Sequence, residues 1–158
     1  MFTTAIFYGQ TDNNKLNQQL LEMKKYFLAE DFESFANYTY PKILEMMGGK
    51  ANMVTATKQA MEQMKSQGFE VVGLRFKDGS KALKQGGELQ YSLVQTLTME
   101  TPKGKVESEY TLIAISSDGG DHWTFMDTSN KPKATMLQYF PNLHPDVDIK
   151  PTTQKMVE

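Results

Sequence analysis

Apolar side chains in the first part of the chain recur with the period of an α-helix. Leu16, Leu20, Met23 and Phe27 fall on one stripe, while the glutamines and lysines between them fall on the opposite side. This pattern predicts an amphipathic helix of about four turns. Asp31 suits the N-cap of a second, short helix, because its carboxylate can accept a hydrogen bond from a backbone N–H of the first turn.

Two further helices are predicted before the pattern changes. Proline fits the first turn of a helix and not its interior, so Pro41 predicts a break followed by a short helix over residues 41–47. The pair Gly48-Gly49 ends that helix. A longer helix is predicted over residues 51–67, and its methionines at positions 53, 61 and 64 are interpreted as core-filling side chains.

From residue 69 onward, apolar and polar positions alternate, which is typical of β-strands. Strands are predicted over residues 69–78, 88–101, 106–116 and 122–127. The turns between the last three strands are short, whereas a parallel connection needs roughly a dozen residues or more, so these strands are predicted to be antiparallel neighbours. The fold class predicted from these patterns is α+β, with N-terminal helices packed on an antiparallel sheet.

The chain divides into three parts. Residues 14–130 carry the periodic patterns and are interpreted as a single α+β domain. Residues 131–158 are predicted to form a short helix over 134–140 and then a polar tail, punctuated by prolines, that is extended or disordered. Residues 1–13 are interpreted as a leader remnant or a disordered N-terminus.

The leader interpretation comes from an apolar stretch at Met1 to Gly9 that gives way abruptly to polar residues. Such a stretch resembles the end of a secretion signal, with Gly9 as a small residue at the cleavage boundary. A short first strand or a disordered start explains the same residues. If the segment is a signal, we expect an extracytoplasmic protein, either periplasmic or secreted; otherwise we expect a cytoplasmic one.

Composition excludes several classes of function. The chain has 158 residues and no cysteine, which removes disulfides, thiolate zinc sites and a cysteine nucleophile. Its 17 basic and 19 acidic residues leave a formal charge of −2, and no basic face is evident, so no nucleic-acid partner is expected. No apolar run approaches the roughly 18 residues that predict a membrane span.

Motifs for metal binding and catalysis are also missing from the sequence. The histidines are His122 and His144, which are far apart and have no carboxylate cluster at ligand spacing. Neither a nucleophile elbow nor a glycine-rich phosphate loop is present. We therefore expect no metal site and no cofactor, and we assign no catalytic residue.

One local motif, between Ser116 and Trp123, has a clear structural role in a turn. The spacing Ser116-x-Asp118-x-Gly120-x-x-Trp123 fits the Asp-box consensus of sialidase propeller blades. The aspartate can accept backbone N–H bonds across the turn, the glycine permits positive φ, and the tryptophan anchors the outgoing strand. Propellers repeat this motif, but it occurs once here. We therefore interpret it as a structural brace of a hairpin, in preference to a glycan site.

The layout of the elements resembles the nuclear transport factor 2-like superfamily. The likeness lies in the helix with Asp31, the kink at Tyr40-Pro41, the long helix ending at Gly68 and the closing strand at Trp123. The resemblance implies a cone-shaped fold, in which helices close one face of a curved sheet and leave an apolar pocket. Members include isomerases, dehydratases and binding modules, so the fold alone implies no single function. Tyr38, Tyr40 and Asp127 have chemistry that suits the isomerase members, but no motif transfers their roles.

The sequence suggests candidates for the lining of such a pocket. Gln95 lies in register with Leu93 and Leu97 on the apolar face of the long strand, where a polar group needs a hydrogen-bond partner. The other candidate ligand-binding residues are Tyr40, Tyr91, Tyr110 and Asp127. The alternative is that Gln95 and Asp127 satisfy backbone groups, and that the tyrosines place their rings in the core and their hydroxyls at its rim.

Three functional hypotheses follow. The first is a non-enzymatic module that binds a small apolar ligand or a partner. The second is a metal-free isomerase or lyase acting on a small apolar carbonyl compound, with Asp127 as the base and Tyr40 or Tyr110 as the hydrogen-bond donor. The third is a homodimer formed through an open sheet face, consisting of Gln90, Ser92, Val94, Thr96 and Thr98.

Overall fold

The computed structural model describes residues 2–77 and 81–158, with side chains described from residue 14 onward. Asp78, the last residue of the strand predicted over residues 69–78, lies outside the described residues. The chain folds as helices packed on a curved, open, antiparallel sheet, which confirms the α+β class.

Four helices come first, and most of their bounds follow the predictions. They are α1 (Phe2–Leu28), α2 (Phe32–Ala36), α3 (Pro41–Met46) and α4 (Lys50–Ser66). The predicted cap of α2 is confirmed, since Asp31 Oδ1 accepts a hydrogen bond of 3.2 Å from the backbone N–H of Ser34. The first helix is longer than predicted because it begins at Phe2, so a short first strand is the wrong alternative for that segment.

Within residues 2–77 and 81–158, six strands form the sheet, two more than the sequence predicts. They are β1 (Glu70–Lys77), β2 (Leu83–Gln85), β3 (Glu88–Thr101), β4 (Gly104–Ser116), β5 (Thr124–Asp127) and β6 (Thr153–Val157). The order of the main strands is β1-β3-β4-β5, while β2 also pairs with β3, and β6 with β4. Each pairing is antiparallel, as predicted for the long strands.

A bulge in β1 changes which of its side chains face the helices. Strict alternation along the strand predicts that Val72 lies on the same face as Leu74 and Phe76. In the structure the register shifts between Val71 and Gly73, so Val71 joins Leu74 on the inner face and Val72 is 43% exposed. The extra residue of a bulge reverses the side-chain alternation on one side of it.

The two faces of the sheet carry separate apolar clusters. On the inner face, Leu93 and Leu112 pack against the α1 residues Leu16, Leu20 and Met23. On the outer face, a second cluster joins the sheet to α5 (Lys133–Tyr139) and the segment after it. The members of that outer cluster include Ile113, Ile115, Met126, Met136, Phe140, Leu143 and Val147.

Packing of the C-terminal segment corrects two expectations. The short helix expected over residues 134–140 is present as α5, but the tail after it, expected to be extended or disordered, supplies core side chains and the strand β6. It also covers part of the sheet face that was expected to be open for a dimer. Gln90 is 1% exposed there and is hydrogen-bonded to the backbone of Asn142 and His144 at 2.9 and 2.8 Å. Ser92 and Thr96 are buried as well.

Candidate functional site

A cavity of about 660 Å³ lies between the helices and the inner face of the sheet. This volume falls within the range of small-molecule sites, roughly 300–1,000 Å³. Its lining draws on the helices α1 to α4 and on the strands β1, β3, β4, β5 and β6, and the loops around Ser129 and Thr152 complete it. The elements that build the fold therefore also build the cavity.

Methionines and aromatic rings make up much of the apolar wall. The methionines of the wall are Met23, Met53, Met61, Met64 and Met99. Phe27, Phe35 and Phe125 add aromatic surface. Met53 of α4 is buried in the core with Met61 packed against its cluster, as the core-filling interpretation predicts, and both also border this cavity together with Met64. Methionine side chains rearrange easily and contact aromatic groups favourably, so such a wall can adapt to a ligand.

Two polar side chains meet within this wall. Gln95 and Tyr110 stand directly opposite each other in the β3–β4 pairing. The Nε2 group of Gln95 donates a hydrogen bond of 2.6 Å to the hydroxyl of Tyr110. They are only 6% and 5% exposed, so the bond lies in a largely dehydrated environment.

The second polar atom of the Gln95 amide has no partner. Its Oε1 is buried and makes no hydrogen bond within the part of the chain that the structure describes. A buried carbonyl left unpaired costs about 1–3 kcal/mol. Gln95 is thus an acceptor held beside a cavity, and a backbone group does not satisfy it, contrary to the alternative drawn from the sequence.

Asp127 adds a negative charge to the same cavity. Burial, followed by the charge of Asp127, raises the pKa of the Tyr110 hydroxyl above its ordinary value, although the hydrogen bond from Gln95 acts in the opposite direction. Asp127 itself is exposed, and its Oδ1 accepts a hydrogen bond of 2.7 Å from the backbone N–H of Ser129. Asp127 thus satisfies a backbone N–H group, as the alternative in the sequence analysis predicts.

Two of the candidate tyrosines lie elsewhere. Tyr40 packs in the outer-face cluster, where its hydroxyl donates to Glu88 at 2.8 Å and accepts from Asn142 at 2.7 Å. Tyr91 lines a separate cleft of about 160 Å³ beside Leu16. The cavity thus brings together Gln95, Tyr110 and Asp127, but neither Tyr40 nor Tyr91.

Tyr38 is a lining residue that the sequence analysis did not select for the pocket. Its hydroxyl donates a hydrogen bond to Glu22. Burial and this carboxylate raise the pKa of Tyr38 to about 12. Its ring lies 6.5 Å from that of Phe125, which also lines the cavity. Tyr38 follows shortly after the end of α2 at Ala36. The Tyr38 carbonyl also accepts a hydrogen bond of 2.7 Å from the backbone N–H of Phe125, a contact distant in sequence for which helix or strand periodicity gives no signal.

The predicted hairpin brace is confirmed. Asp118 Oδ1 accepts hydrogen bonds from the backbone N–H groups of Asp121 and His122 at 3.1 and 2.9 Å, and from the Ser116 hydroxyl at 2.8 Å. Trp123 is 2% exposed, and its Nε1 donates to the Gly120 carbonyl at 3.0 Å. The backbone N–H bonds and the Ser116 hydroxyl lower the pKa of Asp118.

The brace also attaches to α1. The side chain of Gln19 donates to the Asp121 carbonyl at 2.8 Å and accepts from the Trp123 backbone N–H at 2.7 Å. Lys15 forms an ion pair with Asp121. These contacts hold the β4–β5 hairpin against the first helix, and thereby fix one side of the layer that covers the cavity.

Searches for other kinds of site give negative findings for the described part of the chain. Over residues 2–77 and 81–158, no cluster of three or more potential metal-ligating side chains is present. No helix within the same ranges is both long and apolar enough to cross a membrane.

Comparison with protein-family models, with curated proteins and with solved structures finds no match to this chain.

Proposed function

We propose that this chain is a non-enzymatic binding module, of the nuclear transport factor 2-like cone type, that holds a small and largely apolar molecule in the cavity between its helices and its sheet. The observation that carries the proposal is the unpaired Oε1 of Gln95 in a cavity of about 660 Å³. A protein under no demand to bind would gain stability by filling this space or by replacing the glutamine.

The wall of the cavity supports an apolar ligand. Each square ångström of apolar surface removed from water contributes about 25 cal/mol, and the methionine and phenylalanine side chains offer such surface from both helices and strands. Polar side chains also line the cavity: Gln95 and Tyr110 meet as a buried pair within the wall, while several others come from the end of β5 and from the loops around Ser129 and Thr152. An apolar lining with a few convergent polar groups is typical of a small-molecule site.

A fluorescent probe tests the proposal. N-phenyl-1-naphthylamine emits strongly only in an apolar environment, and we expect saturable binding to the full chain. Leu97 lines the cavity from β3, so Leu97→Trp should fill the space and abolish the signal. Val72 is 43% exposed on the neighbouring strand, and Val72→Trp is the matched control that should bind as the unaltered protein does. Absence of binding, or equal binding by both variants, contradicts the proposal.

A second candidate is the metal-free isomerase or lyase, favoured by the presence of Tyr110 and Asp127 in one cavity. Tyr110 would donate a hydrogen bond to the carbonyl oxygen of a substrate, and Asp127 would remove the neighbouring proton. Asp127 is exposed, and its Oδ1 already accepts a hydrogen bond from the backbone N–H of Ser129, so this oxygen is engaged away from a bound substrate. This is why binding without catalysis is the leading proposal.

Proton exchange distinguishes the two candidates. Deuterium incorporation next to the carbonyl of cyclohexanone in D₂O, followed by NMR, measures proton abstraction directly. The enzyme proposal requires that the protein incorporate deuterium faster than buffer alone, and that Asp127→Asn abolish this acceleration. The binding proposal requires that the unaltered protein and Asp127→Asn both leave the rate of deuterium incorporation at that of buffer.

A further inference from the structure

We infer that the ligand is a neutral, largely apolar molecule that carries a hydrogen-bond donor, a hydroxyl or an N–H group, and that Gln95 Oε1 accepts from this donor. The inference rests on the proposed function, because it names the class of ligand for the same cavity. It is carried by the unpaired acceptor and by the arrangement of the polar groups beside it.

The polar groups around the amide determine which of its ends is free. Asp127 pairs with Leu112 across β4–β5, which places it on the face that carries Tyr110, one pleat away. An ionised carboxylate can only accept hydrogen bonds, so it favours the orientation in which the Tyr110 O–H points towards it. The phenol oxygen then receives the N–H of Gln95 at 2.6 Å. The carbonyl end of the amide is left as an acceptor without a donor.

A comparison along β3 shows that this free acceptor is specific to the cavity. Ser92 Oγ is the other buried side-chain atom without a partner in the described residues. It is three residues away, on the opposite face of the strand, and does not border the cavity. Gln95 is therefore the buried unpaired group that a ligand in the cavity can reach.

Access to the oxygen requires a small rearrangement. Oε1 is covered by neighbouring atoms, so the head of a ligand must displace a side chain in order to reach it. The wall of the cavity includes Met23, Met53 and Met99, whose unbranched side chains shift rotamer at low cost. A rearrangement of this size lies within what interface side chains commonly undergo on binding.

The charge of the surroundings favours a neutral head over an anionic one. A carboxylate or phosphate placed at Gln95 would face the lone pairs of Oε1 and the negative charge of Asp127. Lys131 also lines the cavity, but from the loop beyond Asp127. Alcohols, secondary amides and N–H heterocycles satisfy the acceptor without this repulsion, whereas ethers and esters leave it unpaired.

Two probes of nearly identical shape test the inference on the full chain. Carbazole has one polar group, an N–H donor, and dibenzofuran has an oxygen atom in its place. By isothermal titration calorimetry we expect carbazole to bind about tenfold more tightly, the effect of one satisfied hydrogen bond. The matched variants are Gln95→Met, which should bind both probes equally, and Ser92→Ala, which should keep the tenfold preference.

The outcomes separate this inference from the proposal on which it rests. Equal binding of both probes by the unaltered protein overturns the inference and leaves the binding function standing. A preference for dibenzofuran overturns it too, because the free end of the amide would then be the donor. Binding of neither probe overturns both. The two probes on the unaltered chain decide the matter even if Gln95→Met does not fold.

Discussion

Gln95 and Tyr110 face each other across the central strand pair and share a hydrogen bond of 2.6 Å from Nε2 to the hydroxyl oxygen. Both side chains are buried, and their bond lies in a wall to which methionine and phenylalanine side chains contribute much of the surface. The tyrosine satisfies the N–H end of the amide and fixes its orientation. The geometry of this pair therefore contributes to the stability of the wall, and in our proposal it sets which ligand group the cavity accepts.

Removing the Tyr110 hydroxyl should destabilise the protein. In Tyr110→Phe the Nε2 of Gln95 loses its acceptor while Oε1 remains unpaired, so the whole amide is buried without partners. We expect a loss of about 1–3 kcal/mol in the free energy of unfolding, measured by urea denaturation with Trp123 fluorescence. The matched control is Tyr91→Phe, in the separate cleft, which should change stability by less than about 0.5 kcal/mol. Equal losses in both variants would show that the Gln95–Tyr110 hydrogen bond makes no specific contribution to the free energy of unfolding.

The C-terminal segment should depend on Gln90 for its attachment to the outer face. Gln90→Leu leaves the Asn142 carbonyl and the His144 N–H without their present partner, and we expect a loss of about 2–4 kcal/mol. Ser92→Ala, on the same face of the same strand, removes a buried hydroxyl that already lacks a partner. This second change should be neutral or slightly stabilising. Urea denaturation checks both, and a larger loss for the serine variant would contradict the account.

The brace at Asp118 should make the free energy of unfolding depend on pH in the acid range. Hydrogen bonds from the backbone of His122 and from Ser116 lower the pKa of Asp118 below its ordinary value of 3.8. A carboxylate with a lowered pKa in the folded state contributes stability that is fully present above the ordinary value. This contribution is lost as the pH falls through the lower pKa of the folded protein.

Asp118→Asn isolates this effect. We expect the variant to be less stable than the unaltered protein by up to about 1 kcal/mol at neutral pH. The difference should shrink as the pH falls below 3.8. Urea denaturation across that range gives the measurement, and Glu100→Gln at the surface of β3 is the control that should show no such convergence. A constant difference at every pH would contradict the assignment of the charge effect to Asp118.

Local rules predicted most of the elements correctly. Asp31 caps a helix because its side chain reaches the backbone of Ser34, and the bounds predicted for the strand over residues 88–101 match those of β3. The brace at Ser116 and Asp118 was also predictable, since its hydrogen bonds join residues that are close in sequence. Features that depend on neighbours along the chain are within reach of sequence reasoning.

Features that depend on distant contacts were not predictable. The bulge at Val71 reverses the faces of β1 through its pairing with β3. The strand β6 forms from a polar tail because β4 offers it a free edge. Tyr40 and Tyr110 both suit a core position with the hydroxyl at its rim, but contact with Phe140 in the outer-face cluster places Tyr40 away from the cavity. Composition and periodicity carry no signal for these contacts.

The most direct test of the central claim uses the methionines as reporters. In protein labelled with ¹³C at the methionine methyl groups, saturating N-phenyl-1-naphthylamine should shift the signals of the cavity methionines. These are Met23, Met53, Met61, Met64 and Met99. The signals of Met46, Met47 and Met156 at the surface, and of Met126 and Met136 in the outer cluster, should stay in place. Shifts confined to the surface or outer methionines, or none at saturation, would show that the cavity between helices and sheet is not the binding site.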